Sequence, residues 1–145
     1  MRFTAPAGWQ VEPSGSAASS SGHWLVFLGT QALHDQCGAD PTVPCRPPLD
    51  QLAAGGVLIA WYTRNCAGPD CTIPDGQATR VGGREATTVA SQSSCGEIGE
   101  TYEADYLVAV SPQRIDTIVV CTRSATEATQ RTIRSFLDGV VWRTP

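Results

Sequence analysis

Apolar residues of this chain occur in short runs that are separated by polar, glycine-rich or proline-rich stretches. The longest apolar run covers 57–62, contains β-branched and aromatic side chains, and lies between Gly56 and Arg64. A run of this length and composition is typical of a strand that is buried on both faces of a sheet. We therefore predict a central strand over 57–62.

Shorter patterns of the same kind predict the other strands. The first of these strands lies at the end of 3–11, after an extended segment and a turn. The others are predicted over 23–28, 78–81, 84–89, 102–110 and 116–122, with a short last strand over 140–142. The pair Gly82-Gly83 favours a tight hairpin, because a type I′ turn needs a positive φ at both central positions. Residues 111–114 are predicted to form the turn of a second hairpin.

Two helices are predicted, and the longer one lies near the C-terminus. Ser124 and Glu127 have the capping-box spacing, in which each side chain satisfies a free backbone N–H, and Gly139 is predicted to end the helix. Its apolar stripe consists of Ala125, Ala128, Thr132, Ile133, Phe136 and Leu137. A short helix is predicted over 48–54. An antiparallel sheet of five to six strands with these two helices packed on it is an α+β fold.

Length and charge limit the classes of protein and partner. The chain has 145 residues, which suits one domain over 1–145. Its 14 acidic and 10 basic side chains argue against a nucleic-acid partner, which requires a basic surface. Apolar runs fall short of the about 20 residues that a membrane span needs, so we expect no membrane insertion by this domain itself. All basic residues are arginine, which suggests a GC-rich coding sequence, as in actinobacteria.

Six cysteines indicate a disulfide framework. They are Cys37, Cys45, Cys66, Cys71, Cys95 and Cys121. We predict bonds 37–45 and 66–71, because each pair brackets a loop with glycine and proline, and bond 95–121 follows by elimination. Structural zinc is the alternative, with ligands from the first four cysteines and His34, although only the 66–71 spacing approaches that of a zinc knuckle. Three disulfides imply an oxidising compartment, so we expect a secreted or surface-anchored piece of a protein whose leader or anchor was removed.

The predicted bond between Cys95 and Cys121 sets a condition on the sheet. If 84–94, 102–110 and 116–122 are consecutive antiparallel strands, the two cysteines end strands that are two positions apart. Strands lie about 4.8 Å apart, whereas a disulfide tolerates Cα atoms no more than about 7 Å apart. We therefore predict that Cys95 has left its strand, and that the loop after it curls across the end of the sheet.

Residues suited to catalysis or metal binding are few and lack the spacing of a known site. The two histidines, His23 and His34, accompany no nucleophile motif, so we expect no catalytic residues and no cofactor. An acidic cluster could hold a divalent cation, but it lacks the spacing of a calcium loop, and we interpret it as solvated charge. It consists of Glu97, Glu100, Glu103 and Asp105. We thus expect no metal site.

Four tryptophans allow two interpretations. They are Trp9, Trp24, Trp61 and Trp142. Flat aromatic rings can stack on sugars, but rings in apolar strands usually fill the core, and we favour core packing. Trp61 and Tyr62 are adjacent in a predicted strand, so they should point to opposite faces of the sheet.

The order of these landmarks resembles the PsbP-like fold. The features that carry the resemblance are Phe3, Pro6, Gly8 and Trp9 at the start, a strand ending in Trp61, the segment 81–86, strands with Tyr106 and Ile118, and a last helix leading into 140–142. This family includes photosystem extrinsic subunits, a Ran-binding nuclear-import factor and LpqN-type lipoproteins of actinobacteria. The resemblance implies a binding or accessory protein without a shared catalytic motif.

We therefore expect a non-enzymatic, extracytoplasmic domain that binds an unknown protein or small-molecule ligand as a sensor or accessory module. Its parent would be an actinobacterial lipoprotein or a membrane-anchored receptor. Two alternatives stay open, a secreted hydrolase-like enzyme and a carbohydrate-binding module. An ordered pair of histidine and carboxylate in a deep pocket would favour the enzyme, and a coplanar pair of exposed tryptophans would favour the sugar binder.

Overall fold

The fold is described from a computed structural model over residues 1–14, 22–34, 48–66, 71–90, 95 and 98–142. The strands of this part are β1 (Gln10–Pro13), β2 (Gly22–Gly29), β3 (Val57–Asn65), β4 (Gln77–Val81), β5 (Arg84–Ala90), β6 (Tyr102–Ser111) and β7 (Arg114–Thr122), and the helix is α1 (Glu127–Asp138). All strands belong to one sheet with the order β1-β2-β3-β7-β6-β5-β4. Each neighbouring pair is antiparallel.

The predicted α+β class was wrong, because the described part is mostly β. It has seven strands instead of five to six and one helix instead of two. The segment 48–54 is not helical, and its backbone donors bond to other parts of the chain. Leu52 donates to the carbonyl of Ile98 at 2.8 Å, and Ala53 donates to the side-chain oxygen of Gln31 at 2.7 Å. Its two leucines are buried at a spacing that a helix would also produce.

Predictions for the central strand and the two hairpins were confirmed. β3 lies between β2 and β7, and both of its faces are buried over 57–61. The β4–β5 turn has φ of 55° at Gly82 and 76° at Gly83, as a type I′ turn requires. Residues 112 and 113 turn between β6 and β7. Local sequence was sufficient here, because tight turns depend on a few adjacent residues.

The two faces of the sheet carry separate apolar clusters. The helix face packs against α1 and includes Leu28, Ile59, Trp61, Val108, Ile118 and Val120 from the strands and Ile133, Phe136, Leu137 and Val140 from the C-terminal region. The loop face includes Phe27, Leu58, Ala60, Val119 and Cys121 from β2, β3 and β7, covered by Leu49, Leu52, Cys95 and Ile98. Among the described residues, the loop cluster therefore lies over β2, β3 and β7, and Glu103 near the start of β6 is buried beside it.

Helix α1 begins two residues later than the capping box predicted. Thr126 is the N-cap, and its hydroxyl accepts the N–H of Thr129 at 3.2 Å. Ser124 has a φ of 52° and donates its N–H to Thr101 at 2.8 Å, so it belongs to the turn after β7. The residues of α1 that are buried are Ile133, Phe136 and Leu137, a narrower stripe than predicted. Gly139 caps the end with a φ of −80°, without a left-handed residue.

The two ends of the described chain meet over the helix face. The Phe3 ring lies 6.1 Å from the ring of Trp61 and 5.8 Å from that of Phe136, measured between centroids. Arg2 and Val141 exchange two backbone hydrogen bonds of 2.8 Å, in place of the short strand that was predicted over 140–142. Residues at both ends thereby shield Trp61, which is fully buried.

A buried carboxylate ties β7 to β3 on the helix face. Asp116 is 0% exposed and accepts hydrogen bonds from Trp61 Nε1 at 3.2 Å and Thr63 Oγ1 at 2.8 Å. Arg114 adds an ion pair, with its Nε 3.0 Å from Asp116 Oδ1. Each donor here has a charged acceptor, so the burial of the carboxylate is compensated.

Removal of this acceptor should destabilise the fold. We expect Asp116→Ala to lower the free energy of unfolding by about 2–5 kcal/mol, because two buried donors lose their partner at about 1–3 kcal/mol each. The control is Thr117→Ala, on the opposite face of the same strand, which should lower it by about 1 kcal/mol or less. Urea denaturation measures both variants, and equal losses would contradict a special role of Asp116.

A second pair of variants tests the stripe of α1. Phe136→Ala should lower the free energy of unfolding by about 3–5 kcal/mol, because it empties the contact with Phe3 and the helix-face cluster. Arg131→Ala, on an exposed side chain, should change it by less than about 0.5 kcal/mol. Similar losses in thermal or urea denaturation would mean that α1 packs with a different face.

Candidate functional site

The structure brings together two of the three predicted cysteine pairs. Cys66 and Cys71 form a disulfide with a Cα–Cα distance of 5.4 Å, and Cys95 and Cys121 form one with 5.9 Å. Cys95 lies beyond the end of β5 at Ala90, so the predicted departure from the strand was confirmed. The predicted pair of Cys37 and Cys45 lies outside the described residues. All cysteines in the described part are bonded.

The first of these disulfides joins two residues that both donate hydrogen bonds to the β6–β7 turn. Cys66 donates its N–H to the carbonyl of Gln113 at 3.0 Å, and Cys71 donates to that of Pro112 at 2.7 Å. Both cysteines are therefore fixed to the same turn, so the chain continues from Cys71 beside residues 112 and 113.

The acidic cluster does not stay together as a solvated group. Glu103 is 4% exposed, lies opposite Cys121 in the β6–β7 register, and accepts the N–H of Cys95 at 3.1 Å. Glu100 and Asp105 are half-buried, and Glu97 lies outside the described residues. The described part of the chain holds no cluster of three or more histidine, cysteine, aspartate or glutamate side chains that could bind a metal ion. The alternation of β6 buries Glu103, and the sequence alone cannot show which face is covered.

The positions of the histidines and tryptophans in the sheet were predicted only in part. His23 lies at the start of β2, and His34 lies beyond its other end. Trp24 contacts Phe27 and Tyr62 on the loop face, with ring centroids 5.5 and 5.2 Å apart. The other tryptophans belong to the helix face, where the rings of Trp61 and Trp142 lie 5.5 Å apart. Core packing was confirmed for Trp61, which is fully buried, whereas Trp9, Trp24 and Trp142 are partly buried against the two clusters; the opposite directions of Trp61 and Tyr62 were confirmed.

Two tyrosines of β6 lie beside α1. Tyr106 packs against the helix-face cluster, and Tyr102 is 50% exposed. Burial raises the pKa of Tyr106, the nearby Tyr102 raises it further, and Arg134 acts in the opposite direction. The phenol of Tyr106 therefore stays protonated at neutral pH and can donate a hydrogen bond, but it is unsuited to act as a base.

Two grooves on the described surface are large enough for a ligand. The hairpin groove, of about 700 Å³, lies on the loop face and is lined by Ile73, Ala78, Thr79, Arg80, Glu85, Ala86, Thr87 and Ala109. The helix groove, of about 640 Å³, lies between the N-terminal segment and α1 and is lined by Thr4, Ala5, Pro6, Ala128, Arg131, Thr132, Ser135, Phe136 and Gly139.

Two polar groups of the helix groove, those of Arg131 and Thr132, have partners within α1. Arg131 forms an ion pair with Glu127 at 3.7 Å, and the Thr132 hydroxyl donates to the carbonyl of Ala128 at 3.1 Å. These contacts are local to the helix, and a ligand would have to compete with them.

The charged groups of the hairpin groove are less engaged. Arg80 and Glu85 lie directly opposite each other in the β4–β5 register, and both are exposed. Arg80 donates to the carbonyl of Gly83 at 2.9 Å, and no hydrogen bond or ion pair joins the Glu85 carboxylate to any described residue. A guanidinium has five donors, so most of those on Arg80 are available to a ligand.

The hairpin groove also borders an open sheet edge. β4 is the last strand of the sheet. A type I′ hairpin closes with a hydrogen-bonded pair, here Val81 and Arg84, and the bonded pairs then alternate along the strands. The N–H and C=O groups of Ala78 and Arg80 therefore point away from β5. No described residue is bonded to them.

Comparisons with protein-family models, with curated proteins and with solved structures found no match to this chain. Helices long and apolar enough to cross a membrane are absent from the described residues.

The hydrogen bond from the Cys95 N–H to the Glu103 carboxylate can be tested by substitution of Glu103. Glu103→Ala should lower the free energy of unfolding by about 1–3 kcal/mol, because the buried N–H of Cys95 loses its acceptor. Glu103→Gln should lower it less, since its amide oxygen can still accept. Urea denaturation of the oxidised protein measures both, and a larger loss for Gln than for Ala would contradict this role.

Proposed function

We propose that this chain is an extracytoplasmic domain that binds a partner protein or a small ligand in the hairpin groove. The observation that carries the proposal is the pair Arg80 and Glu85, two exposed charges that line a groove of about 700 Å³ without pairing with each other. Convergent polar groups in a concave surface are the usual mark of a binding site.

The compartment in this proposal rests on the disulfides. Two are formed within the described residues, and such bonds persist mainly in oxidising compartments. A secreted or surface-anchored location is the simplest setting for them. The lipoprotein parent, the actinobacterial source and the PsbP-like relationship stay predictions from the sequence.

The shape of the sheet supports binding at this place. On the loop face, the cluster formed with Leu49, Leu52, Cys95 and Ile98 covers strands β2, β3 and β7. On β6 the same face still holds the buried Glu103 and Leu107, whereas its outer part, at β4, β5 and the end of β6, carries exposed small or charged side chains, among them Ala78, Glu85 and Ala109. The tryptophans, on which a sugar-binding function would depend, pack in the two apolar clusters.

A matched pair of substitutions distinguishes the two grooves. Short random peptides displayed on phage are selected on the disulfide-intact protein, and the affinity of the enriched peptides is measured by calorimetry. Ala109→Trp fills the hairpin groove and should weaken binding by about tenfold or more. Ala128→Trp fills the helix groove and should change it by less than about twofold. The reverse pattern would contradict the hairpin groove as the binding site, and no enrichment of peptides would contradict a partner protein as its ligand.

A further inference from the structure

We propose that the partner held at the hairpin groove is an extended, acidic peptide segment, which adds to the outer edge of β4 as a further strand of the sheet. This inference rests on the proposed function and names the class of partner. Strand addition is a common way to bind peptides, in which main-chain hydrogen bonds give affinity and alternate side chains give specificity.

The outer edge of β4 has the groups that such a strand requires. Ala78 and Arg80 direct two N–H donors and two C=O acceptors outward, and no described residue satisfies them. The strand contains no proline, so each of its residues keeps its N–H. An open edge of this kind is a template for pairing with another chain.

The opposite edge of the sheet is less suited to this role. β1 has four residues and ends in Pro13, which has no N–H to donate. Its Glu12 would repel an acidic segment. Of the two edges, β4 therefore has the more complete set of donors, and it presents an exposed basic side chain, Arg80.

The charge pattern indicates that the added strand is acidic. Neighbouring strands place directly opposed side chains on the same face, where opposite charges attract. Glu85 on β5 and Arg80 on β4 alternate in sign across the face. A carboxylate on the added strand, directly opposite Arg80, continues this alternation. It reaches the Arg80 guanidinium, which donates only to Gly83 within the described part.

Small side chains beside Arg80 leave room for those of the partner. Ala78, Thr87 and Ala109 line the hairpin groove on the same face as Arg80, and Ile73 forms an apolar wall. A strand on the edge would direct every second side chain toward this face. The groove can therefore receive side chains from a peptide whose backbone pairs with β4.

A second copy of this chain fits the edge less well than an acidic segment. In a two-fold pairing of β4 with itself that uses both Ala78 and Arg80, Ala78 of each copy lies opposite Arg80 of the other. The two Arg80 side chains are then diagonal neighbours on one face, and like charges at such positions repel. An acidic partner avoids this repulsion.

The test uses a capped peptide of about six residues, the usual length of a strand, in which glutamate and valine alternate. A peptide with lysine in place of glutamate is the control. The glutamate peptide should bind about tenfold more tightly than the lysine peptide. It should also slow the hydrogen exchange of the Ala78 and Arg80 amides, as measured by NMR.

N-methylation of the peptide backbone tests strand addition itself. An added strand directs only every second N–H toward β4. N-methylation of all glutamates or of all valines should therefore give unequal results, with binding reduced by about tenfold or more in one set and retained in the other. A sensitive glutamate set indicates antiparallel pairing, and a sensitive valine set indicates parallel pairing. Equal effects of the two sets would overturn strand addition.

Variants of the protein give an independent test. Ala78→Pro removes one outward donor at an edge position where proline is tolerated, and it should weaken binding by about fivefold or more, whereas Ala78→Ser should bind as the native protein does. Arg80→Gln should reduce the preference for glutamate over lysine to about twofold. Unchanged preference would overturn the role of Arg80.

The outcomes separate this inference from the proposed function. Suppose that the peptide binds less tightly to Ala109→Trp, but that the two methylated sets have equal effects. Strand addition is then overturned, and the groove is kept as a binding site. No binding of the glutamate peptide overturns the acidic strand, while the phage selection tests the groove by itself. Dimerisation of the native protein that Ala78→Pro abolishes would assign the edge to a second copy instead.

Discussion

The pairing of β3 with β7 is the interaction on which the other parts of the structure depend. The two strands are in register from Val57 opposite Thr122 to Asn65 opposite Arg114, and they form the middle of the sheet. β3 supplies Trp61 to the helix face, and β7 supplies Cys121 to the loop face. Alternation along a strand makes this possible, because successive side chains support opposite layers.

Both layers are attached to this central pair by polar or covalent contacts as well as by apolar packing. On the helix face, Asp116 accepts from Trp61 and Thr63 and thereby fixes the large indole under Phe3. On the loop face, the disulfide from Cys121 holds the segment that packs over β2, β3 and β7. Directional contacts select one arrangement among several that would bury similar apolar area.

Unequal coverage of the loop face explains where a binding surface can form. The covering segments that the structure describes lie over the centre, so the β4–β5 hairpin extends beyond them with exposed charges and with an edge that no described strand pairs with. Packing of the core depends little on the exposed side chains of this hairpin, so these side chains can vary to suit a binding partner. On the helix face, the corner of the same hairpin is held firmly, since Gly82 donates to the carbonyl of Leu137 and Trp142 donates to that of Val81. The proposed docking edge is thus the outer edge of β4, a strand that these contacts on the helix face hold in place.

The sequence by itself determined the features that depend on neighbouring residues: the strands other than the one predicted over 140–142, the Gly82-Gly83 turn, the 66–71 disulfide and the apolar side of α1. A constraint of chain geometry also showed that Cys95 must leave its strand. Tertiary structure decided the rest. The segment 48–54 forms bends because its donors find partners in Ile98 and Gln31, and Glu103 is buried where the disulfide to Cys121 holds Cys95 against it. The hairpin groove depends on which half of the sheet is covered. Contacts between residues far apart in the chain set these outcomes, and local patterns carry no information about them.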